Sequence, residues 1–463
     1  MGMITALFDN SIQSCEEAFG VADCTSELMK EAIREWFSLY FASKKTDKED
    51  PCMQIPFTVI QKLTKTAFGE YATACEDQFV ENAVLKKLNK QKKKAFQMAM
   101  IGGLCYIKPF PMGNRFSFSI VNRNNMLVFG KDADGMPVDI GTAERTAVNR
   151  RYYTLLERRT VDARGLLTIR NMLYRSDNEA SLGTLTSLSE LPKYAGLVPE
   201  YTFPRPLSSP IGMVPLMTPL TNNVDGSNDP VSVYSPAVGL IHNININEAQ
   251  INGEFDRGRS RIIASKDLLK KDKNGRSSFD ETLFVGLDDD PENIGVNIFS
   301  PAFREQSYLA RKQDYLRAVE TAIGLKRGLI SEVEAVERTA TEITSSAGDY
   351  NLTIIDFQEA WEDALKDAVK LCGELGVLYK VAGAHEIADD DVVTVDWGNG
   401  ILYDEDKTWA DYKDMAASGL IKPEIALGWR FGMPTDTPEV LAAIREKYMP
   451  GAEDLTEDDD ADE

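Results

Sequence analysis

Apolar residues return at three- and four-residue steps along most of this chain, and at every second position over a central stretch. "TSELMKEAIREWFSLYFAS" opens on Thr25, has Glu27 and Glu31 in its early turns, and aligns Leu28, Ile33, Trp36, Phe37 and Tyr40. That spacing predicts an amphipathic helix with an acidic start. "ENAVLKKLNKQKKKAFQMAMIGG" repeats the device around Val84, Leu85, Leu88 and Phe96, with six lysines between Lys86 and Lys94. A lysine cluster can touch DNA, but lysines opposite an apolar stripe are first of all the wetted side of a helix, and that is the expectation here.

From Leu104 the period falls to two. "LCYIKPF", "RFSFSIV", "MLVFG" and "MPVDIG" read as short strands punctuated by "PMGN" and "DADG", and "RRYYTLLERRT" with "RGLLTIRNMLYR" reads as a hairpin around "VDAR". The stretch from Pro199 to Pro230 holds seven prolines and three asparagines. It predicts a packed connector without regular elements, ending near Ser235.

Helical spacing then resumes. Val238, Ile241, Ile244, Glu248, Ile251 and Phe255 lie at near-heptad steps, predicting a helix of about 22 residues and roughly 33 Å. "SPAFREQSYLARKQDYLRAVETAIG" puts Pro301 at a helix start and Phe303, Leu309, Leu316 and Ile323 on one face. Between the two lies a segment with short strands. A helix out, a small tip and a helix back describe a projecting stalk whose apolar seams two helices alone cannot cover. Such stripes call for a neighbour, and repeated contacts between identical subunits close into a ring when the rotation permits.

"ERTATEITSSAGDYNLTIIDFQEAWEDAL" carries a further stripe through Ile343, Ala347, Tyr350, Ile354, Phe357, Trp361 and Leu365. Ser345, Ser346 and Gly348 interrupt it, which predicts a long helix weakened near its start.

At 463 residues, two or three packing regions are expected. The 43% hydrophobic and 27% charged fractions are those of a soluble globular protein. No apolar run approaches the roughly 18 residues of a membrane span, and no basic segment precedes the first apolar residues as in a secretory signal. Six scattered cysteines are expected to be reduced thiols. The net charge of −22 argues against a protein that grips nucleic acid through its phosphates, but not against one that lets it pass. The last twelve residues hold eight acidic side chains and no basic one, predicting a solvated, disordered tail.

Catalytic signatures are missing. His242 and His385 cannot form a metal triad, and there is no phosphate-binding loop or nucleophile elbow. The "DDD" triplets at 288–290 and 389–391 are expected to be solvated loops. Asp272, Asn274, Gly275 and Glu281 fit a calcium loop, but Lys270 stands where its first carboxylate is needed. Arg259 to Arg276 holds seven basic and two acidic residues, and Asp280 to Glu292 six acidic and none basic. That polarity suits a subunit interface or docking surface.

"PIGMVPLMTPLTNNVDGSNDPVSVYSPAVGLIHNININ" resembles the segment of tailed-bacteriophage portal proteins that ends the wing and enters the first stem helix. "AIGLKRGLIS" is similar to that family's turn after the second stem helix, "ERTATEI" to the start of its long kinked helix, and "AASGLIKPEIALGWRFGMPTDTPEVLAAI" to its closing helices. The order covers roughly residues 25 to 445. His242, where an acidic residue is common, and the basic "GLKRGLIS" depart from the pattern.

The resemblance implies an α+β fold with a wing (1–235), stem helices (236–258 and 301–324), a mixed clip (259–300) and a tunnel loop (325–338). A long kinked helix returning to the wing (339–404), a small crown (405–450) and the acidic tail (451–463) would follow. It implies a virion structural protein without cofactor, metal or catalytic residue, assembled in the host cytoplasm as a ring commonly of twelve subunits at one capsid vertex. Its partners would be the terminase large subunit, head-completion or adaptor proteins, major capsid and scaffolding proteins, and double-stranded DNA in the lumen, with no membrane. Lys326, Arg327, Glu332 and Glu334 would belong to the tunnel loop. Lys326 and Arg327 would meet DNA phosphates or pair with Glu332 or Glu334 of a neighbour. Arg259, Arg261, Lys266, Lys270, Lys271, Lys273 and Arg276 would form the clip docking surface, and Ser345, Ser346 and Gly348 the hinge. The rivals are a monomeric capsid or head-tail adaptor, and a metal-dependent nuclease built on the acidic triplets.

Overall fold

Each helix of the amino-terminal region is set by which residue of its stripe meets the core. A computed structural model of the chain describes residues 11–41, 51–257, 261–265, 284–287, 297–299, 304–332, 340–388, 392–398, 405–435 and 437–449. After α1 (Ser11–Phe19), α2 (Glu27–Phe41) is capped by Ser26, whose hydroxyl accepts from the Met29 amide at 3.2 Å. Met29, Ile33, Trp36, Phe37 and Tyr40 are buried, whereas Leu28, expected among them, is 58% exposed. Five residues separate Leu28 from Ile33, about 140° of helix turn, while Met29 lies four back on the same stripe.

Helix α3 (Ile55–Ala67) and a π turn over Val80–Leu85 precede α4 (Lys86–Gly102), which buries Leu88, Ala95, Phe96 and Ala99. It ends at Gly103, whose φ is +77° and where a Cβ would stand 2.4 Å from the Pro230 carbonyl oxygen. A left-handed turn and a close crossing of two chains both demand glycine there.

Strand β1 (Ala72–Cys75) lies between α3 and α4. The period-two region forms β2 (Leu104–Met112), β3 (Arg115–Asn122), β4 (Met126–Lys131), β5 (Pro137–Val148), β6 (Arg151–Val161), β7 (Leu167–Ser176) and β8 (Thr184–Thr186). Strands β4 to β8 make an antiparallel meander. The hairpin around "VDAR" closes with Val161 opposite Leu167, and the Asp162 carboxylate accepts from the Arg164 and Leu166 amides. Asp132 does the same for Asp134 and Met136 in the "DADG" turn. Strand β5 outruns its apolar pattern because β6 pairs with it as far as Val148 opposite Arg151.

The connector contains two short strands that its prolines hide, β9 (Glu200–Thr202) on β7 and β10 (Val214–Met217) on β2. Strand β10 is the edge of its sheet, where Pro215, lacking an N–H, is tolerated. Asn222 organises the rest, accepting from the Val224 and Asp225 amides and donating to the Asp229 carbonyl.

Helix α5 (Val238–Arg257) leads to strands β11 (Arg261–Ser265), β12 (Phe284–Leu287) and β13 (Asn297–Phe299), and α6 (Glu305–Ile323) follows. In this small sheet β11 is central, parallel to β12 and antiparallel to β13. Helix α7 (Ala340–Leu378) is one 39-residue α-helix that includes Ser345, Ser346 and Gly348. Its Ile354, Phe357, Trp361 and Leu365 are buried, and Phe68 meets Phe96 and Trp361 edge to face at 5.0 and 5.6 Å. Strand β14 (Val393–Asp396) pairs with β1.

The first compact unit runs from Met1 to Val395 and the second from Asp396 to Glu463. The second unit holds α8 (Glu405–Ala417), α9 (Pro423–Arg430) and α10 (Pro438–Tyr448). Ile444 is its buried centre, Tyr412 stacks on Trp429 at 5.1 Å, and buried Glu424 pairs with Arg445. The chain is thus mixed α+β.

Candidate functional site: a helix pair and a pinned basic turn

Helices α5 and α6 run antiparallel, as their ion pairs record: Glu254 faces Arg304 at 3.1 Å and Glu248 faces Lys312 at 2.7 Å. At one end the seam is closed, with Ile241, Ile244, Ile251, Leu316, Val319 and Ile323 buried. Towards the other end the same stripes stay wet, since Phe255 is 48% and Leu309 44% exposed; Ile246, on another face of α5, is 47% exposed. The closed end is tied to the body through Asn245, whose side-chain oxygen accepts from the Met53 amide at 2.9 Å, and through His242, whose Nε2 lies 2.7 Å from Glu35. Phe303 lies outside the described residues.

Helix α6 ends at Gly324, with φ +74° and its amide carried by the Thr321 carbonyl. The turn that follows is held by one carboxylate. Glu320 is 1% exposed, on the buried stripe between Val319 and Ile323. Its Oε1 accepts from the Ile330 and Ser331 amides at 2.6 and 2.9 Å, and its Oε2 from the Gly328 amide and the Ser331 hydroxyl at 3.0 and 2.7 Å. Burial pushes the carboxyl upward, but these hydrogen bonds outweigh it and hold it below its ordinary value. Lys62 Nζ donates to the Leu329 carbonyl at 2.6 Å, and the Glu332 amide donates to Gln313 at 2.8 Å.

The pinned turn presents Lys326 and Arg327 to solvent, and among the described residues neither reaches a carboxylate. Glu332 is exposed, and Glu334 lies outside the described residues. Of the basic run, Arg261 opens β11 opposite Phe299, while Arg259, Lys266, Lys270, Lys271, Lys273 and Arg276 lie outside them, as do both acidic triplets and the near-calcium loop.

His385 Nε2 meets Asp77 at 2.8 Å. Among the described residues no group of three or more His, Cys, Asp or Glu could hold a metal ion, and no helix is long and apolar enough to cross a membrane. Sequence reasoning missed Glu320, although its signal was there: a carboxylate one residue after Val319 and three before Ile323 on an apolar stripe. It also missed Glu157, buried in β6, whose carboxylate takes Lys108 at 2.5 Å and Arg159 at 2.6 Å.

No protein-family model matches the sequence, and comparison with curated proteins finds no match. Among solved structures the chain is similar to a chain from the neck of a native gene transfer agent particle computed with C12 symmetry, with 12% identity and a TM-score of 0.47 over 92% of this chain and 99% of that one. It is also similar to a chain from the virion of a native gene transfer agent particle, with 13% identity and a TM-score of 0.48 over the same shares.

Proposed function

We propose that this chain is the subunit of a phage-type portal ring, a conduit through which double-stranded DNA enters and leaves a capsid. The observation that carries the reading is the α5–α6 pair. Its seam closes at one end and leaves Phe255 and Leu309 wet towards the other, as suits a helix pair completed by copies of itself. The order of motifs from Pro210 to Ile343 supports it independently.

On this reading Lys326 and Arg327 meet DNA phosphates in the lumen, held by Glu320. The basic run from Arg259 to Arg276 docks the terminase large subunit and later the head-completion proteins, and Ser345, Ser346 and Gly348 let α7 bend. The chain itself is a structural part without a catalytic centre, and the ATPase belongs to the terminase.

The test is a mass measurement with negative-stain imaging of the full chain. A ring with a central hole, near twelve times 51.5 kDa, is expected. A particle that stays monomeric under every assembly condition would favour a head-tail adaptor instead. Alanine at both Lys326 and Arg327 should lower DNA retention in filled particles; unchanged retention would remove the phosphate contact from the reading.

A further inference from the structure

Helix α4 carries a row of charge that the conduit reading does not use. Its seventeen residues include no aspartate or glutamate. Lys86, Lys90, Lys93 and Lys94 are exposed and Lys87 is half-buried. At 100° per residue these five occupy about a third of the helix circumference, opposite the buried Leu88, Ala95 and Ala99. Lys92 is not among them, because its ammonium lies over the Tyr71 ring at 3.7 Å.

Among the described residues none of the five forms an ion pair, and the one side-chain acceptor in reach is Asn82, which takes the Lys86 ammonium at 2.6 Å. In a chain with 73 acidic and 51 basic residues, five neighbouring lysines without a carboxylate are unusual. The arrangement also costs helix stability, since like charges at Lys86–Lys90 and Lys90–Lys94 oppose each other by about 0.2–0.5 kcal/mol per pair. A helix only needing to be wet would be better served by interleaved glutamates.

We propose that this face of α4 binds the phosphate backbone of duplex DNA, as a contact additional to the turn at Lys326. Lys86, Lys90 and Lys94 follow one another at a rise of about 6 Å, a line of point charges suited to a regular polyanion. A protein partner fits less well. Protein interfaces are depleted in lysine and need an apolar anchor, and this row contains none. The row is complete in one chain, so the proposal stands or falls without the ring.

The test is fluorescence anisotropy of a labelled duplex with the full-length protein, at salt from about 50 to about 200 mM. It compares the parent with a fourfold variant (K86Q, K90Q, K93Q, K94Q), its fourfold arginine counterpart, and the K326A/R327A pair. The glutamine variant should lose about tenfold or more in affinity at low salt and flatten the log–log salt slope by about 3 to 4. The arginine variant should keep both, and K326A/R327A should keep the part of the slope that the lysine row supplies. Absence of binding by the parent at low salt, or an unchanged slope in the glutamine variant, would overturn the proposal. So would a changed sedimentation profile with unchanged DNA binding, which would assign the lysines to another copy of the chain. Because the four substituted lysines are exposed, the variants should keep the parent's thermal midpoint within a few degrees, which separates lost binding from lost folding.

Discussion

Glu320 shows how much one side chain can carry when it is buried with its partners. Four donors from Gly328, Ile330 and Ser331 converge on its two oxygens. Glu320→Gln keeps the size but turns one acceptor into a donor facing donors. It should cost about 2 kcal/mol locally and raise amide exchange at Gly328, Ile330 and Ser331, while exchange in β6 stays as it was. Because the folded carboxyl sits below its ordinary value, its contribution is fully present above about pH 4.3 and fades as pH falls through the depressed value. Acid should therefore loosen the turn, which exchange measured as a function of pH would reveal. Glu157 is a second case with another role. Burial alone would raise its carboxyl, yet Arg159 and Lys108 hold it down at about 2. Burial weakens the Lys108 charge as well, while the Arg159 guanidinium meets the carboxylate from the other side at 2.6 Å. Glu157→Gln leaves the buried Arg159 and the half-buried Lys108 without a counter-charge and should cost about 3–5 kcal/mol in urea unfolding. In the parent, the stability that Glu157 contributes should hold above pH 4.3 and decline towards pH 2.

At the scale of elements, the stripes and turns in the sequence were legible where local chemistry decides them. The lysine-bearing helix, the "DADG" and "VDAR" turns and the apolar half of the α7 stripe all follow from spacing and from what Asp and Gly do in a turn. What could not be read was decided by distant parts of the chain. Leu28 and Met29 are both apolar and adjacent, and only the position of the core selects Met29. Strand β10 exists because β2 offers an edge, so its Pro215 misleads any local reading. Glu320 looked like one more polar residue until the turn folded back onto it. Gly348 belongs to the same scale. It lies within a helix that runs unbroken from Ala340 to Leu378, so Gly348→Ala should raise helix stability by roughly 1 kcal/mol. If bending there serves DNA passage, the variant should assemble normally and package less DNA; equal packaging would show that the bend is not needed.

For the whole molecule, the open end of the α5–α6 seam decides between a ring and a single chain. Phe255 and Leu309 continue stripes in which Ile241, Ile244, Ile251, Leu316, Val319 and Ile323 are buried, so their exposure is a break in a pattern rather than scattered surface apolarity. In an isolated chain, replacing both by serine removes little buried area and should change stability by no more than about 0.5–1 kcal/mol. In a ring the same two side chains would be buried once per interface, and a closed cycle multiplies every interface loss by the number of its contacts. Each large apolar side chain withdrawn from water contributes about 1.5–3 kcal/mol, so the serine pair should shift assembly strongly towards monomer while circular dichroism and thermal unfolding of the monomer stay near the parent's. Ile246→Ser, on a different face of α5, tells whether the contact surrounds the helix or follows the seam alone: a seam contact leaves this variant in rings. Rings formed equally well by the Phe255 and Leu309 variants would mean that the wet end of the seam has some other purpose, and that the subunits meet elsewhere.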